Sequence, residues 1–259
     1  MLKTEILEKY IKTFYGHGNI KSDFWFISLE EWGRNTEDEF NRRLSIWEER
    51  GCKALEDCSN FYLALGDKKQ WFSDKPKLQA TWKMYIRLYL YLIGDEYFER
   101  ISTAEQREYL RRYQRDQFGK IDGDMCIMEL RPLPSPNIRE WFYGDQSDLS
   151  YLKSRQEYME HIDPFRIEEL KNKIQQNKPK HIFFCSTSLS NRQIWEKIIG
   201  STFLEKEELG FFYAKDDKTN YYIIEHSASK KYLKNRVRIP GLGNEYFNKI
   251  GRYLRETTR

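Results

Sequence analysis

The side chains with the most chemistry to offer stand where apolar runs end. Phe24-Trp25-Phe26-Ile27 leads straight into Ser28-Leu29-Glu30-Glu31-Trp32-Gly33, so two adjacent carboxylates and an indole follow four large apolar residues. Far along the chain, the stretch 221–225, apolar up to Glu225, runs into His226 and Ser227, an imidazole and a hydroxyl. Between them, 125–130 (MCIMEL) leads into Arg131-Pro132, and 180–185 (KHIFFC) into Ser186 and Ser188. Carboxylate, imidazole, hydroxyl and guanidinium are the groups that move protons and offset charge, but only if the fold brings them together. The competing expectation for Glu30 and Glu31 is a solvated acidic turn closing a core strand.

An unbroken apolar run fits a strand buried on both faces, as in a parallel sheet. Open α/β sheets keep their sites beyond the carboxyl ends of such strands. The first helix reads over 2–13, with Leu2, Ile6, Leu7, Tyr10, Ile11 and Phe14 on one face, and a glycine-punctuated loop (Gly16, Gly18) precedes a strand at 24–28. Thr36-Glu37-Asp38-Glu39 starts a second helix, and the chain stays mostly helical to about 120. Within that excursion 79–93 reads as a buried helix, and 102–118 opens with a capping-box pattern and carries an arginine face expected to be solvated. The prolines after 125–130 predict an extended loop, because each fixes φ and lacks an N–H. Helices at 149–162 and 164–176, a strand at 180–185, a helix at 191–199, a hairpin of 211–214 with 221–225, and a helix at 244–255 complete the reading.

Strands separated by helices predict an α/β fold: a three-layer α/β/α sandwich around a central, mainly parallel four-stranded sheet. The whole chain, 1–259, reads as a single domain, with a helical cap inserted at about 34–120 and no flexible linker bounding it. Composition narrows the class. Charged residues make up 32% and aromatics 16%, and no apolar run approaches the roughly 20 residues that cross a bilayer. The amphipathic start is unlike a secretory signal, so a cytoplasmic location is the default expectation, as is a monomer. A formal charge of +4 is too small by itself to imply nucleic acid. Cys52, Cys58, Cys126 and Cys185 form no CxxC pair, and no His-x3-His spacing occurs, so neither a metal nor an iron–sulfur cofactor is expected.

Taken in order, these motifs resemble the uracil-DNA glycosylase superfamily. FISLEEWG matches its acidic first loop, ELRPLPSPN its R-P-P-like loop, NKPKHIFFCS its P-K-x-I-hydrophobic strand, and IIEHSAS its H-P-S ending. The resemblance spans 15–229 apart from the helical excursion. It implies a monofunctional DNA glycosylase that flips a nucleotide into a pocket at the strand ends, without metal or cofactor. On that resemblance Glu30 is the carboxylate that orients or deprotonates water, with Glu31 a competitor, and His226 donates to the departing base. N-glycosidic cleavage suits such a pair, since positive charge builds on the sugar and negative charge on the base. Trp32 would stack on the extruded base, or else cover an edge of the core. Asn19, Arg131, Ser186 and Ser227 complete the expected pocket and its phosphate contacts, each with a plain structural role as the alternative. The family's uracil-reading asparagine falls on Cys126, which cannot offer a paired donor and acceptor; a larger or modified base, including a hypermodified phage cytosine, is therefore expected over uracil. The cluster cysteines of the thermostable branch are absent.

For DNA, the segment after His226 carries five cations in nine residues: Lys230, Lys231, Lys234, Arg236 and Arg238. With Tyr232 and Leu233 among them it suits phosphate contact and wedging, or a solvated basic turn. Two other classes stay open: a catalytically silent nucleic-acid-binding sensor of unusual bases, and a protein-interaction scaffold built on the helical cap.

Overall fold

The computed structural model describes residues 2–33, 36–66, 70–135, 140–186, 188–227, 229, 233–234, 237–238 and 242–258. Its strands are β1 (Gly16–Gly18), β2 (Phe24–Trp32), β3 (Leu55–Glu56), β4 (Met125–Ser135), β5 (His181–Cys185), β6 (Leu204–Lys206), β7 (Phe211–Lys215), β8 (Asn220–Ile224), β9 (Leu233–Lys234) and β10 (Val237–Arg238). Its helices are α1 (Thr4–Thr13), α2 (Glu37–Glu49), α3 (Cys58–Ala64), α4 (Ala80–Ile93), α5 (Glu96–Arg100), α6 (Thr103–Asp116), α7 (Arg155–Asn177), α8 (Leu189–Ile199) and α9 (Leu242–Thr257). The result is an α/β protein with a central sheet flanked by helices. The sheet is mixed and eight-stranded, in the order β3-β1-β4-β2-β5-β8-β7-β6, rather than four-stranded. The difference lies at its edges. β4, β2, β5 and β8 pair in parallel, while short β1 and β7 are antiparallel to their inner neighbours.

The glycine-rich lead-in is strand, not loop. Gly16 and Gly18 take φ of +139° and +101°, and a Cβ on either would lie 2.2–2.3 Å from a β4 carbonyl oxygen. Two glycines thus let a strand approach β4 more closely than any side chain permits. Alternation along the inner strands sends Phe26, Ile127, Phe183 and Tyr222 to one face, and Trp25, Cys126, Ile182 and Phe184 to the other. α7 and α8 cover the second face.

The first face is covered from the helical excursion. α4 lies directly on it, with Tyr85 stacked on Phe26 at 4.5 Å, so the excursion supplies one of the protein's layers. α4 packs in turn on α9, where a Cβ on Gly251 would meet the Tyr91 Cβ at 2.6 Å and the Leu88 carbonyl oxygen at 2.8 Å. Only a glycine there lets the two backbones come so close.

α7 is continuous where two helices were expected. Pro164 costs the helix one N–H, but the carbonyl it leaves, that of Glu160, is on the exposed side, where solvent can serve it. The next turn is anchored firmly: fully buried Arg166 donates to the carbonyls of Leu130 (2.7 Å), Glu129 (2.8 Å) and Phe14 (3.0 Å). Among the described residues no helix is long and apolar enough to cross a membrane.

Candidate functional site

A cavity of about 530 Å³ opens against β2, β4 and the exit of β8, a volume typical of small-ligand sites. The sheet contributes Ser28, Ile127 and Glu129; Tyr62, Trp71 and Trp82 bring aromatic surface from the helical excursion; Glu30, Glu31, His226 and Ser227 also line it. The acid pair from β2 and the imidazole that follows β8 therefore share one cavity.

Two consecutive residues of a regular strand point to opposite faces, so Glu30 and Glu31 should not share a site. The ladder between the two strands is irregular at this point. Between the pairs Glu30–Arg131 and Trp32–Ser135, β2 advances two residues while β4 advances four. This bulge holds Pro132 and Pro134, whose missing N–H groups exclude them from a regular ladder. The prolines therefore do not form the expected loop; they sit inside an irregular continuation of β4, and both carboxylates reach the cavity.

The two acids differ in kind. Glu31 accepts two bonds from the Arg43 guanidinium (2.7 and 3.0 Å) and one from the Tyr62 hydroxyl (2.6 Å). Burial alone would raise its pKa, but Arg43 and Tyr62 outweigh it and hold the carboxyl below its usual range, a fixed anion. Glu30 pairs through Oε1 with Arg155 at the start of α7, while its buried Oε2 has no partner. Burial pushes its pKa up despite the neighbouring Arg155 charge. Glu30 is thus the better proton acceptor of the two.

Behind them, the Tyr85 hydroxyl lies 3.0 Å from both the Ser28 Oγ and the Cys185 Sγ. Thr81, at the start of α4, meets buried Ser227 at 2.9 Å and ties the helical layer to the β8 exit. Buried Gln114 donates to the carbonyls of Trp71 and Lys77 and accepts from the Gln79 amide, each at 2.9 Å, fixing the segment that carries the indole wall. His226 is exposed at the mouth, and its carbonyl accepts from the Ser229 amide (2.8 Å).

Comparison of the chain with protein-family models, curated proteins and solved structures finds no match.

Several expected pocket residues are elsewhere. Cys126 faces the opposite side of the sheet, buried among Trp25, Met128 and Leu170. Its neighbour Ile127 takes the cavity side because strand residues alternate. Asn19 lines a separate hollow of about 450 Å³ and holds a turn, donating to the Gly123 carbonyl and accepting from the Lys21 amide. Arg131 is buried in a two-pronged ion pair with Asp163 (2.7 and 2.6 Å), which leaves it engaged with a carboxylate and not open to phosphate. The Ser186 hydroxyl accepts from Asn191 (2.7 Å) and lies outside the cavity lining. The backbone of Trp32 pairs with Ser135, but its ring lies outside the described residues. So do Lys230, Lys231 and Arg236, and the side chains of Lys234 and Arg238, whose backbones form the small β9–β10 pair. Among the described residues no cluster of His, Cys, Asp and Glu is placed to hold a metal ion.

Sequence reasoning missed four residues, Arg155 among them. Glu129 is an acid within an apolar strand, Arg43 a cation on the same helix face as Phe40, Leu44 and Trp47, and Tyr85 a phenol in a helix read only as apolar. The first two carried a signal: a charge in a buried stripe asks for a partner or a task. Arg155 carried none, since it meets Glu30 only through the tertiary fold.

Proposed function

We propose that the protein hydrolyses the N-glycosidic bond of a base flipped out of DNA, as a monofunctional glycosylase of the uracil-DNA glycosylase type. The observation that carries the reading is the meeting of Glu30, Glu31 and His226 around one aromatic-lined cavity at the ends of parallel strands. A flat base would sit between the Trp71 and Trp82 rings and the sheet, where stacking replaces what it loses on leaving the duplex. Glu30 takes a proton from a water whose oxygen adds to the sugar C1′. The C1′–N bond breaks with its electron pair going to the base, and His226 donates to that departing base. Fixed, ionised Glu31 offsets the positive charge that gathers on the sugar. Among the described residues no lysine lines the cavity, so the reading stops at an abasic site and includes no Schiff base. The basic segment 230–238 is assigned to phosphates.

Incubation with DNA carrying uracil, hypoxanthine, or hydroxymethylated or glucosylated cytosine, followed by alkali, tests this reading. Cleavage at one of these bases that falls at least roughly 100-fold in Glu30→Gln supports hydrolysis. No cleavage in any lane refutes it.

One observation favours a second reading. Both first-loop carboxylates already hold an arginine, Glu30 with Arg155 and Glu31 with Arg43. A catalytically silent protein that senses unusual bases in the same cavity would have that arrangement. It predicts salt-dependent DNA binding without abasic sites.

A further inference from the structure

The reaction just proposed leaves one cavity acid without a task. Glu129 lies on β4 beside Ser28 of β2, on the cavity face of the sheet. Its backbone is pinned on both sides: its amide donates to the Tyr15 carbonyl, and its own carbonyl accepts from Arg166, each at 2.8 Å. The side chain has no such anchor at Oε2, a buried oxygen without a hydrogen-bond partner in a protein whose other two cavity acids hold arginines. An orphaned buried oxygen is costly unless a ligand completes it.

We propose that Glu129 is the residue that recognises the ligand of this cavity, its carboxyl group meeting edge-on a flat heteroaromatic ring that offers one hydrogen-bond donor beside one acceptor. The inference rests on the nucleobase reading of the cavity. The group's protonation state supports it. Burial pushes the Glu129 pKa well up, the charges of Glu31 and Glu30 push it further, and Arg166 opposes them only in part. An uncharged carboxyl presents O–H and C=O side by side, which matches the N–H/carbonyl edge of uracil and the ring-nitrogen/amino edge of cytosine. An ionised one would accept only. Among the described residues the other titratable groups beside it or in the same cavity lining are Tyr85 and Cys185, which bond to each other, Tyr62, which bonds Glu31, and His226.

Calorimetric titration of the full chain with free uracil and free cytosine, and with indole as a ring lacking the paired edge, tests the assignment. The wild type binds at least one base more tightly than indole. Glu129→Gln keeps a donor beside an acceptor and stays within about threefold, whereas Glu129→Leu loses roughly 10- to 100-fold for the base and nothing for indole. Wild-type affinity falls as rising pH ionises Glu129, and Glu129→Gln is flat over the same range. Equal binding by Glu129→Leu, no preference for either base over indole, or an unchanged pH profile in Glu129→Gln overturns the proposal. Should Glu129→Leu fail to fold, judged by its thermal midpoint, the Glu129→Gln profile decides alone. The two readings separate cleanly. Base discrimination that follows Glu129 without abasic sites in the DNA assay sinks hydrolysis and keeps the inference. Abasic sites formed with unaltered rate and base preference by Glu129→Leu do the reverse.

Discussion

Replacing Arg43 by methionine isolates what the Glu31 ion pair contributes. The guanidinium is buried, holds both Glu31 oxygens and donates weakly to the Tyr10 hydroxyl (3.4 Å), so methionine preserves the stem and removes the charge. Breaking a buried pair from one side typically costs about 3–5 kcal/mol, because the other charge is stranded. Glu31 keeps the Tyr62 bond, and its side chain is 24% exposed, which places the expected loss near the lower end, about 3 kcal/mol. For a chain of this size that is a fall of roughly 6–10 °C in Tm. The pH dependence carries the diagnosis. In the wild type the Glu31 pKa is depressed, so its contribution is present above the unfolded carboxylate pKa of about 4.3 and is lost as pH falls through the lower folded value. In Arg43→Met, burial is opposed only by the Tyr62 bond and by His17 and the folded pKa rises, so the deficit is large near about pH 7.5 and shrinks once both states are protonated, below about pH 4. Urea unfolding followed by tryptophan fluorescence at both pH values measures the two differences. Adding Glu31→Gln to Arg43→Met should restore most of the stability at neutral pH. A deficit under about 1 kcal/mol, or one that does not change with pH, would refute the claim that Arg43 is there to hold a buried anion.

Other outcomes follow from the same geometry. Gly16→Ala should cost more than about 2 kcal/mol in chemical unfolding, since its Cβ would collide with the Ile127 carbonyl at a φ that alanine resists. Glu129→Leu should raise Tm at neutral pH, because a group whose folded pKa is raised destabilises the fold as pH climbs above its unfolded value; the gain should vanish below about pH 4. Buried His17 and His181 both have pKa values pushed down to about 4 by burial, so folding should weaken as pH falls from about 6.5 toward 4. His17→Phe, which keeps the ring contacts with Phe14, Phe61 and Tyr62, should flatten that slope, as unfolding curves across the range would register.

The parallel centre of the sheet was legible because its strands announce themselves: FWFI, MCIM, HIFFC and YYII are apolar on both faces and each ends in a polar residue or a loop. Helix starts were legible too: Ser102 forms the reciprocal box its sequence suggests, and the helix expected from Thr36 opens with one as well. The edges were not. β1 is three residues of Gly-His-Gly, and nothing local distinguishes a strand made possible by absent side chains from a flexible turn. Pro132 and Pro134 misled for the opposite reason: the rule that proline leaves a ladder holds, but a bulge obeys it without ending the strand. That irregularity falls beside the two acids, and it was hidden because register is a property of two strands. Cys126 was assigned by motif position, and one residue along a strand is the difference between cavity and opposite core.

The contact of α4 with α9 through Gly251 has a consequence for how the pocket comes to exist. The residues that touch there are roughly 160 positions apart, so this junction closes one of the chain's long loops and should form late in folding. Thr81, Trp82 and Tyr85 all ride on α4. A truncated protein lacking α9 would keep every acid, imidazole and ring of the site, yet lose the buttress that keeps them at arm's length, and with it the space a ligand needs.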